Sequence, residues 1–390
     1  MIQLEKAIEL ALKNASILGI EPINFRQSLN RILAEDITSD IDIPPFNKSA
    51  MDGYALRRED ANLPLTIVQT VQAGSSPIAQ LKHGECVKIM TGARIPDNAD
   101  YVAKIEDTSL NQEGKVIIKN IENKPNIRFA SEDVKNGEVV LHKGTLIRPQ
   151  EIATLATIGK TTIKVFQKPK ISISSTGSEL IEPENTPNDV QIRNSNAYQL
   201  IAQCNKIGLE TTYNGIIADD IDQTIFHIKK MLKQSDILIF SGGVSMGDFD
   251  FIPQALQQLN FNIIFHTIAV QPGKPTLMAR KGNQYCFGLP GNPVSSFMQF
   301  ELIVKPFIYK IMGHSYHPQT AFLPLAHEYR RKKAERTSLI PVRIEDNKVY
   351  PVEYHGSAHL FALNSAHGFI IIPQHTTIVP TDTYVTVRFI

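Results

Sequence analysis

The densest chemistry in this sequence lies in S-G-G-V-S-M-G-D-F-D, residues 241–250. Gly242 and Gly243 follow the apolar run I-L-I-F and Ser241. Glycines at a strand end let backbone N–H groups turn toward an anion. Ser245 adds a hydroxyl, and beyond Gly247 the acids Asp248 and Asp250 add hard oxygen ligands that a cation could share with a phosphate. The plain alternative is a tight strand-to-helix turn with solvated acids. Three glycines, a serine and two acids at one strand end favour a ligand over that alternative. The same letters spell G-x-S-x-G, the nucleophile elbow of serine hydrolases, with Ser245 as nucleophile and Asp250 and His266 as candidate partners. Neighbouring acids would oppose an anionic nucleophile, so hydrolysis is the runner-up.

Other stretches carry weaker signals. In G-L-P-G-N-P-V-S-S (288–296), Gly288, Pro290, Gly291 and Pro293 fix a rigid turn before a long apolar helix. Asn292 suits the N-cap and Pro293 the first helical position, which leaves free N–H groups for an anion. Q-P-G-K-P (271–275) holds Lys274 on a stiff loop, suited to an oxyanion, although an exposed lysine in a Pro-Gly turn is common. Glu179, Asp219 and Asp220 fall at predicted strand ends. Together such carboxylates suggest Mg²⁺ held partly through substrate phosphates; singly, each reads as a helix cap. On residue grounds alone, Asp52-Gly53 in S-A-M-D-G-Y-A-L is a simple β-turn.

The elements that must position these residues follow from periodicity. Leu4, Ile8, Ala11, Leu12 and Ala15 predict a first helix over 4–18, and R-Q-S-L-N-R-I-L-A-E-D (26–36) a second. Pro44-Pro45 forces an extended link. Short β-like pieces between Gly, Pro and Asn turns predict a β-rich lobe over about 46–135, inside an N-terminal region 1–167. P-Q-E-I-A-T-L-A-T-I-G predicts a short helix opening at Pro149. From 168 to 313, strands alternate with helices, which predicts a doubly wound parallel sheet covered on both faces. In such sheets ligands bind beyond the carboxyl ends of the strands, where S-T-G-S-E-L, I-I-A-D-D, S-G-G-V-S-M-G-D and G-L-P-G-N-P all fall. Residues 314–390 return to β texture and predict a hairpin within a small terminal barrel or sandwich. The fold class is multi-domain α/β.

Composition narrows the classes. The 390 residues carry a formal net charge of +1 and no basic tract with interleaved aromatics, which argues against a nucleic-acid partner. Cys86, Cys204 and Cys286 are too scattered for a disulfide framework or zinc ribbon and fit a reducing cytoplasm. No apolar run is long enough to suggest a membrane span. G-x-G-x-x-G is absent, and Gly159-Lys160-Thr161 lacks the earlier glycine of a P-loop.

Taken together, S-L-N-R-I-L-A-E-D-I, P-P-F-N-K-S-A-M-D-G-Y-A-L, V-K-I-M-T-G-A-R-I-P, S-T-G-S-E-L, S-G-G-V-S-M-G-D-F-D-F, Q-P-G-K-P, G-L-P-G-N-P-V-S-S and G-S-A-H-L-F-A-L-N-S-A-H-G-F-I-I-I-P resemble the MoeA family of molybdenum insertases over nearly the whole chain. The resemblance implies that adenylylated molybdopterin and molybdate are substrates, that molybdate joins the dithiolene sulfurs, that AMP is released, and that Mg²⁺ is required. It also implies a homodimer in which Asp52 and Thr91 face a crevice across the interface. An upstream molybdopterin adenylyltransferase and recipient molybdoenzymes are the implied further partners.

Matched position by position, Asp52, Asp133, Glu179, Asp219 and Asp250 fall on the family's functional acids, with Glu179, Asp219 and Asp250 as metal ligands. Lys274 falls on its P-G-K-P lysine, and Ser295 and Arg336 on polar positions of the oxyanion site. Pterin contacts are implied for Thr91; for Ser175, Thr176, Gly177 and Ser178; for Gly242, Gly243, Val244, Ser245, Gly247 and Asp248; and for Pro290, Gly291 and Asn292. There are departures. Thr267 and Gln271 stand where basic residues are common, Ala362 where a serine is usual, and Ser131 where a glycine precedes the Glu-Asp pair. Two positive charges near the anion are thereby missing. A non-catalytic molybdopterin carrier or scaffold of the same fold is the alternative within the family.

Overall fold

The computed structural model describes every residue of the chain except Met246, Asp248, Phe249, Tyr354 and His355. The chain forms two compact units, one of Met1–Ala34, Gly144–Pro149 and Thr162–Ile390, the other of Glu35–Lys143 and Gln150–Thr161. The helices in chain order are α1 (Leu4–Lys13), α2 (Pro149–Thr157), α3 (Asn196–Lys206), α4 (Ile221–Leu232), α5 (Ile252–Gln258), α6 (Pro293–Gln299) and α7 (Lys305–Ile311). A π turn, Phe300–Val304, joins α6 to α7. Pro306 has no N–H to donate, and the helix widens directly before it.

The smaller unit is built on four strands in the order Thr66–Val71, Glu85–Ile89, Gly53–Leu56, Tyr101–Lys104. The Gly53–Leu56 strand pairs antiparallel with both neighbours, and all four of its residues are buried. One face packs Ala55, Val71, Val87 and Ile89; the other packs Leu56, Leu65, Tyr101 and Val116. Asp52-Gly53 is therefore the entry to a central strand and not a free-standing turn. A β-carbon on Gly53 would lie 1.9 Å from the Ala103 carbonyl oxygen, so no other residue fits this pairing without a backbone shift.

In the larger unit a six-stranded sheet runs Thr211–Ile217, Ile171–Thr176, Ile237–Ser241, Gln284–Leu289, Leu277–Lys281, Asn262–Phe265. The first four strands are mutually parallel. The Leu277–Lys281 strand is antiparallel to both its neighbours, so the sheet is mixed rather than wholly parallel as expected. Sequence reading missed this strand because its two-residue reversal, Gly282-Asn283, is short and the Pro-Gly-Lys-Pro turn before it masked its start. Alternation along the strands sends Ile171, Ile173, Ile237, Ile239, Tyr285 and Phe287 into a core with α1, α3 and the α6–α7 helix. Leu238, Phe240, Cys286, Leu277 and Ala279 go into a second core with α4 and α5. All five residues of Ile237–Ser241 are buried, as a central strand covered on both faces requires.

A second sheet orders Val270–Gln271, Thr337–Glu345, Gly368–Ile372, Tyr384–Phe389, Thr320–Pro324, with Lys348–Pro351 paired to Thr337–Glu345. The expected hairpin is there: Asp346 and Asn347 both take positive φ, 48° and 57°, in the two-residue turn such a hairpin uses. A bridge between Leu325 and Val349 returns the pairing to the first hairpin, around a core that includes Ile340, Val342, Ile370 and Val387.

The helix expected over 26–36 does not form. A short 3-10 turn, Phe25–Gln27, is opened by Asn24, whose side chain accepts from the Arg26 N–H. Asn30 then takes φ 60°, and Ile32 and Leu33 make β-bridges with Leu146 and Val165. Their apolar side chains satisfy a bridge as well as a helix face, and the Asn residues decide for the turn.

Candidate functional site

Four neighbouring parallel strands deliver their carboxyl ends to one edge of the sheet. Thr176 ends one, Ser241 another, and Ile217 and Leu289 lead into Asp219 and Gly291. These loops line a cleft of about 610 Å³. Clefts of that size hold small-molecule ligands.

The loops are tied together locally. Gly242 and Gly243 take φ 90° and 65°. A β-carbon on Gly242 would come within 2.5 Å of the Thr176 carbonyl oxygen, and one on Gly243 within 2.4 Å of Thr176 Oγ1. The loop thus needs both glycines for conformation and for closeness. The Asn196 side chain donates to Ser241 Oγ and to the Gly291 carbonyl, both at 2.7 Å, which joins three loops. Asn194 joins a fourth by accepting from Ser175 Oγ at 2.9 Å.

The carboxylates sit in the cleft wall. Asp219 accepts from the Ser178 N–H at 2.9 Å, and Asp250 from the Gly247 N–H at 2.8 Å. The Glu179 carboxylate lies over Gly177, where a β-carbon would come within 2.5 Å of Oε2. Asp220, next to Asp219, caps α4 by accepting from the Gln223 N–H at 2.8 Å. The cap and the cleft acid are thus adjacent residues with separate duties. Among the described residues no group of three or more His, Cys, Asp or Glu side chains converges to hold a metal. Glu179, Asp219 and Asp250 share a cleft without forming a preformed ligand set.

The structure therefore brings together Thr176, Gly177, Glu179, Asp219, Gly242, Gly243, Gly247, Asp250, Gly291 and Asn292. Ser175 and Ser178 support these loops through the bonds just given. Val244 is buried beneath them, against Gly288, and Pro290 offers its carbonyl to Ser241 Oγ at 3.5 Å. Asp248 lies outside the described residues. Asn292 stands at the N-cap of α6, but its side chain makes no cap. Its Nδ2 donates to Ser357 Oγ at 2.8 Å, and the Val294 N–H, expected to be free for an anion, donates to the Ser357 carbonyl at 3.2 Å.

Lys274, Ser295 and Arg336 do not line this cleft. Lys274 is exposed and Ser295 is buried. Arg336 reaches the Lys274 loop: it donates to the Val270 carbonyl at 3.3 Å and to Gln271 Oε1 at 3.4 Å. The buried Gln299 side chain donates to the Pro272 carbonyl at 3.3 Å from below.

Asp52, Thr91 and Asp133 belong to the smaller unit. There Asp52 Oδ1 accepts from the Thr91 N–H at 2.6 Å and from its hydroxyl at 2.7 Å. These bonds, the backbone one first, hold the Asp52 carboxyl below the usual range. Asp133 is exposed, and Ser131 before it takes φ 62°, the left-handed conformation that a glycine would adopt freely.

The serine-hydrolase reading fails on geometry. His266 Nε2 is paired with the Val244 carbonyl at 2.8 Å, and among the described residues the next helix begins at Ile252. An elbow needs its serine at the strand-to-helix turn. Sequence reasoning missed Arg193, Asn194, Asn196 and Ser241. The Arg-Asn-Ser-Asn run before α3 was the available signal, since asparagines at a helix start bind neighbouring backbone.

Fold and cleft together define a multi-domain α/β protein with a ligand site at its strand ends. The sequence matches the MoeA N-terminal region (domain I and II) over residues 2–159, a probable molybdopterin binding domain over 172–310, and the MoeA C-terminal region (domain IV) over 325–388. It is 35% identical to the molybdopterin molybdenumtransferase of Staphylococcus epidermidis over 387 residues, covering 96% of this chain and 92% of that protein. It is 37% identical to the Staphylococcus aureus protein of that name over 319 residues, covering 80% and 76%. The crystal structure of the molybdopterin biosynthesis MoeA protein from Pyrococcus horikoshii superposes with a TM-score of 0.86 at 29% identity, over the whole of both chains. The chain belongs to the MoeA family, whose place is molybdenum cofactor biosynthesis.

Proposed function

We propose that this protein inserts molybdate into adenylylated molybdopterin and releases AMP. The observation that carries the reading is the cleft, where glycine-rich loops and three carboxylates from four strand ends meet in about 610 Å³. In this reading the Gly242–Gly243 loop offers backbone N–H groups to a substrate phosphate. Asp219 and Asp250 orient the adenylyl end, and Lys274 with Arg336 holds the molybdate dianion near the dithiolene. Asp52 and Asp133 serve as further acids of the reaction. Hydrolysis breaks the phosphoanhydride and leaves AMP and the molybdopterin phosphate. Mg²⁺ remains part of the proposal: Glu179, Asp219 and Asp250, which share the cleft wall, would hold it, and it would neutralise phosphate charge there.

The reading extends to a homodimer in the cytoplasm, supplied by a molybdopterin adenylyltransferase and serving molybdoenzymes. Buried, unpaired thiols at all three cysteines support a reducing compartment. No helix among the described residues is long and apolar enough to cross a membrane. We read the central sheet as doubly wound and the terminal strands as a small barrel, which the return bridge at Leu325 supports.

The test is AMP release from adenylylated molybdopterin, with and without molybdate. Molybdate-dependent release is the expected result. Tight binding of molybdopterin with no release under any molybdate concentration would replace the insertase by a carrier.

A further inference from the structure

The cleft wall holds three carboxylates, Glu179, Asp219 and Asp250, and among its described lining residues one basic side chain, Arg193. A phosphate that enters past three negative charges needs a positive partner. No sequence motif pointed to Arg193, yet the fold holds it firmly. Its backbone forms the short strand Ile192–Arg193, parallel to Leu180–Ile181. The Ile192 N–H donates to the Glu179 carbonyl at 2.9 Å, and the Asn194 N–H to the Ile181 carbonyl at 2.8 Å. Asn194 is buried and donates in turn to the Tyr213 hydroxyl at 2.8 Å. Arg193 is thus flanked by a ladder on one side and a buried anchor on the other.

The side chain is oriented as well. Arg193 Nε donates to the Asn185 carbonyl at 3.1 Å. That bond fixes the guanidinium plane and leaves the two η nitrogens, the fork that matches phosphate oxygens, with no hydrogen-bond partner among the described residues.

Resting on the function proposed above, we infer that Arg193 is a substrate-binding residue that takes phosphate oxygens of the adenylylated substrate through its two η nitrogens. It offsets the three carboxylates and supplies the positive partner that Lys274, outside the cleft, does not.

Wild type, Arg193→Gln and Arg193→Lys are titrated calorimetrically with AMP and, separately, with inorganic pyrophosphate, at two ionic strengths. AMP release is followed on the same preparations, and thermal melts check the fold. Arg193→Gln is expected to weaken both probes about tenfold, the size of one lost charge-assisted contact. Arg193→Lys should recover part of this, because it keeps the charge and loses the fork. KM for the adenylylated substrate should rise with kcat nearly unchanged, as for a contact made equally in ground and transition states. Wild-type affinity for both probes in folded Arg193→Gln overturns the inference and leaves the insertase reading standing. If Arg193→Gln does not fold, wild-type affinity in Arg193→Lys overturns it instead. A wild type that releases no AMP but loses pyrophosphate binding on Arg193→Gln refutes the insertase reading and keeps Arg193 as the anion site. A wild type that binds neither probe overturns the inference outright.

Discussion

At the scale of single residues, two contacts make sharp predictions. Asp52 is held as a carboxylate by Thr91, whose backbone N–H contributes most and whose hydroxyl contributes next. A carboxyl with a depressed pKa gains from its partners above the unfolded value and loses that gain as pH falls through the folded value. Thr91→Val keeps the N–H and removes the hydroxyl, so Asp52 should titrate at higher pH than in wild type. The acidic limb of the AMP-release profile should move up with it, as NMR titration of Asp52 would check directly. The second contact concerns the missing charges. By sequence, restoring lysines at Thr267 and Gln271 should help molybdate bind. The structure changes that expectation, because Gln271 Oε1 is a partner of Arg336. Gln271→Lys would set an ammonium against a guanidinium and raise the molybdate requirement, while Thr267→Lys alone should lower it several-fold. Lys274→Ala should cost on the order of 1–2 kcal/mol in molybdate-dependent turnover, the low end for a charged contact because the side chain is exposed. Turnover unchanged at limiting molybdate would remove Lys274 from the site.

At the scale of elements, glycines and left-handed residues decide more than apolar periodicity does. Gly53→Ala should destabilise the smaller unit by about 1–3 kcal/mol, since the new methyl meets a strand carbonyl and neither can yield without moving backbone. Ser131→Gly should stabilise by about 0.5–1 kcal/mol, the left-handed cost less the entropy a glycine adds. Chemical denaturation measures both. The strands and helices around the cleft were legible because apolar runs alternate with helical stretches, and glycines stand close behind the strands that end at Thr176, Ser241 and Leu289. The region 26–36 was misread because Ile32, Leu33 and Ala34 fit a helix face and a bridge equally, and φ at Asn30 is invisible in a pattern of apolar residues. Asp52 illustrates the opposite limit: Asp-Gly chemistry says turn, and only the pairing of Gly53 with Ile89 and Lys104, distant in sequence, puts Asp52 at the entry to a buried strand. Arg193 was missed for a related reason, since its fork is aimed by a carbonyl at Asn185 that no spacing rule connects to the cleft.

At the scale of the whole molecule, the proposed dimer has a direct test. Asp52→Asn and Asp250→Asn should each abolish AMP release, and mixed dimers of the two should regain part of it if each active site draws on both chains. Confirmed subunit exchange with no regained activity would show that each chain builds its site alone. The last sheet also bears on how the chain is made. Glu301, in the π turn, accepts from Gln203 and Lys305 through its carboxylate and from Arg388 through its carbonyl. Arg388 lies in the Tyr384–Phe389 strand, which is the ladder partner of Thr320–Pro324. A ribosome emits Thr320–Pro324 long before Tyr384–Phe389, while the hairpin turned at Asp346-Asn347 can zip at once. Through that interval the Thr320–Pro324 strand lacks its ladder partner, so a pause in translation between these strands leaves an unpaired backbone edge open to pairing with another chain.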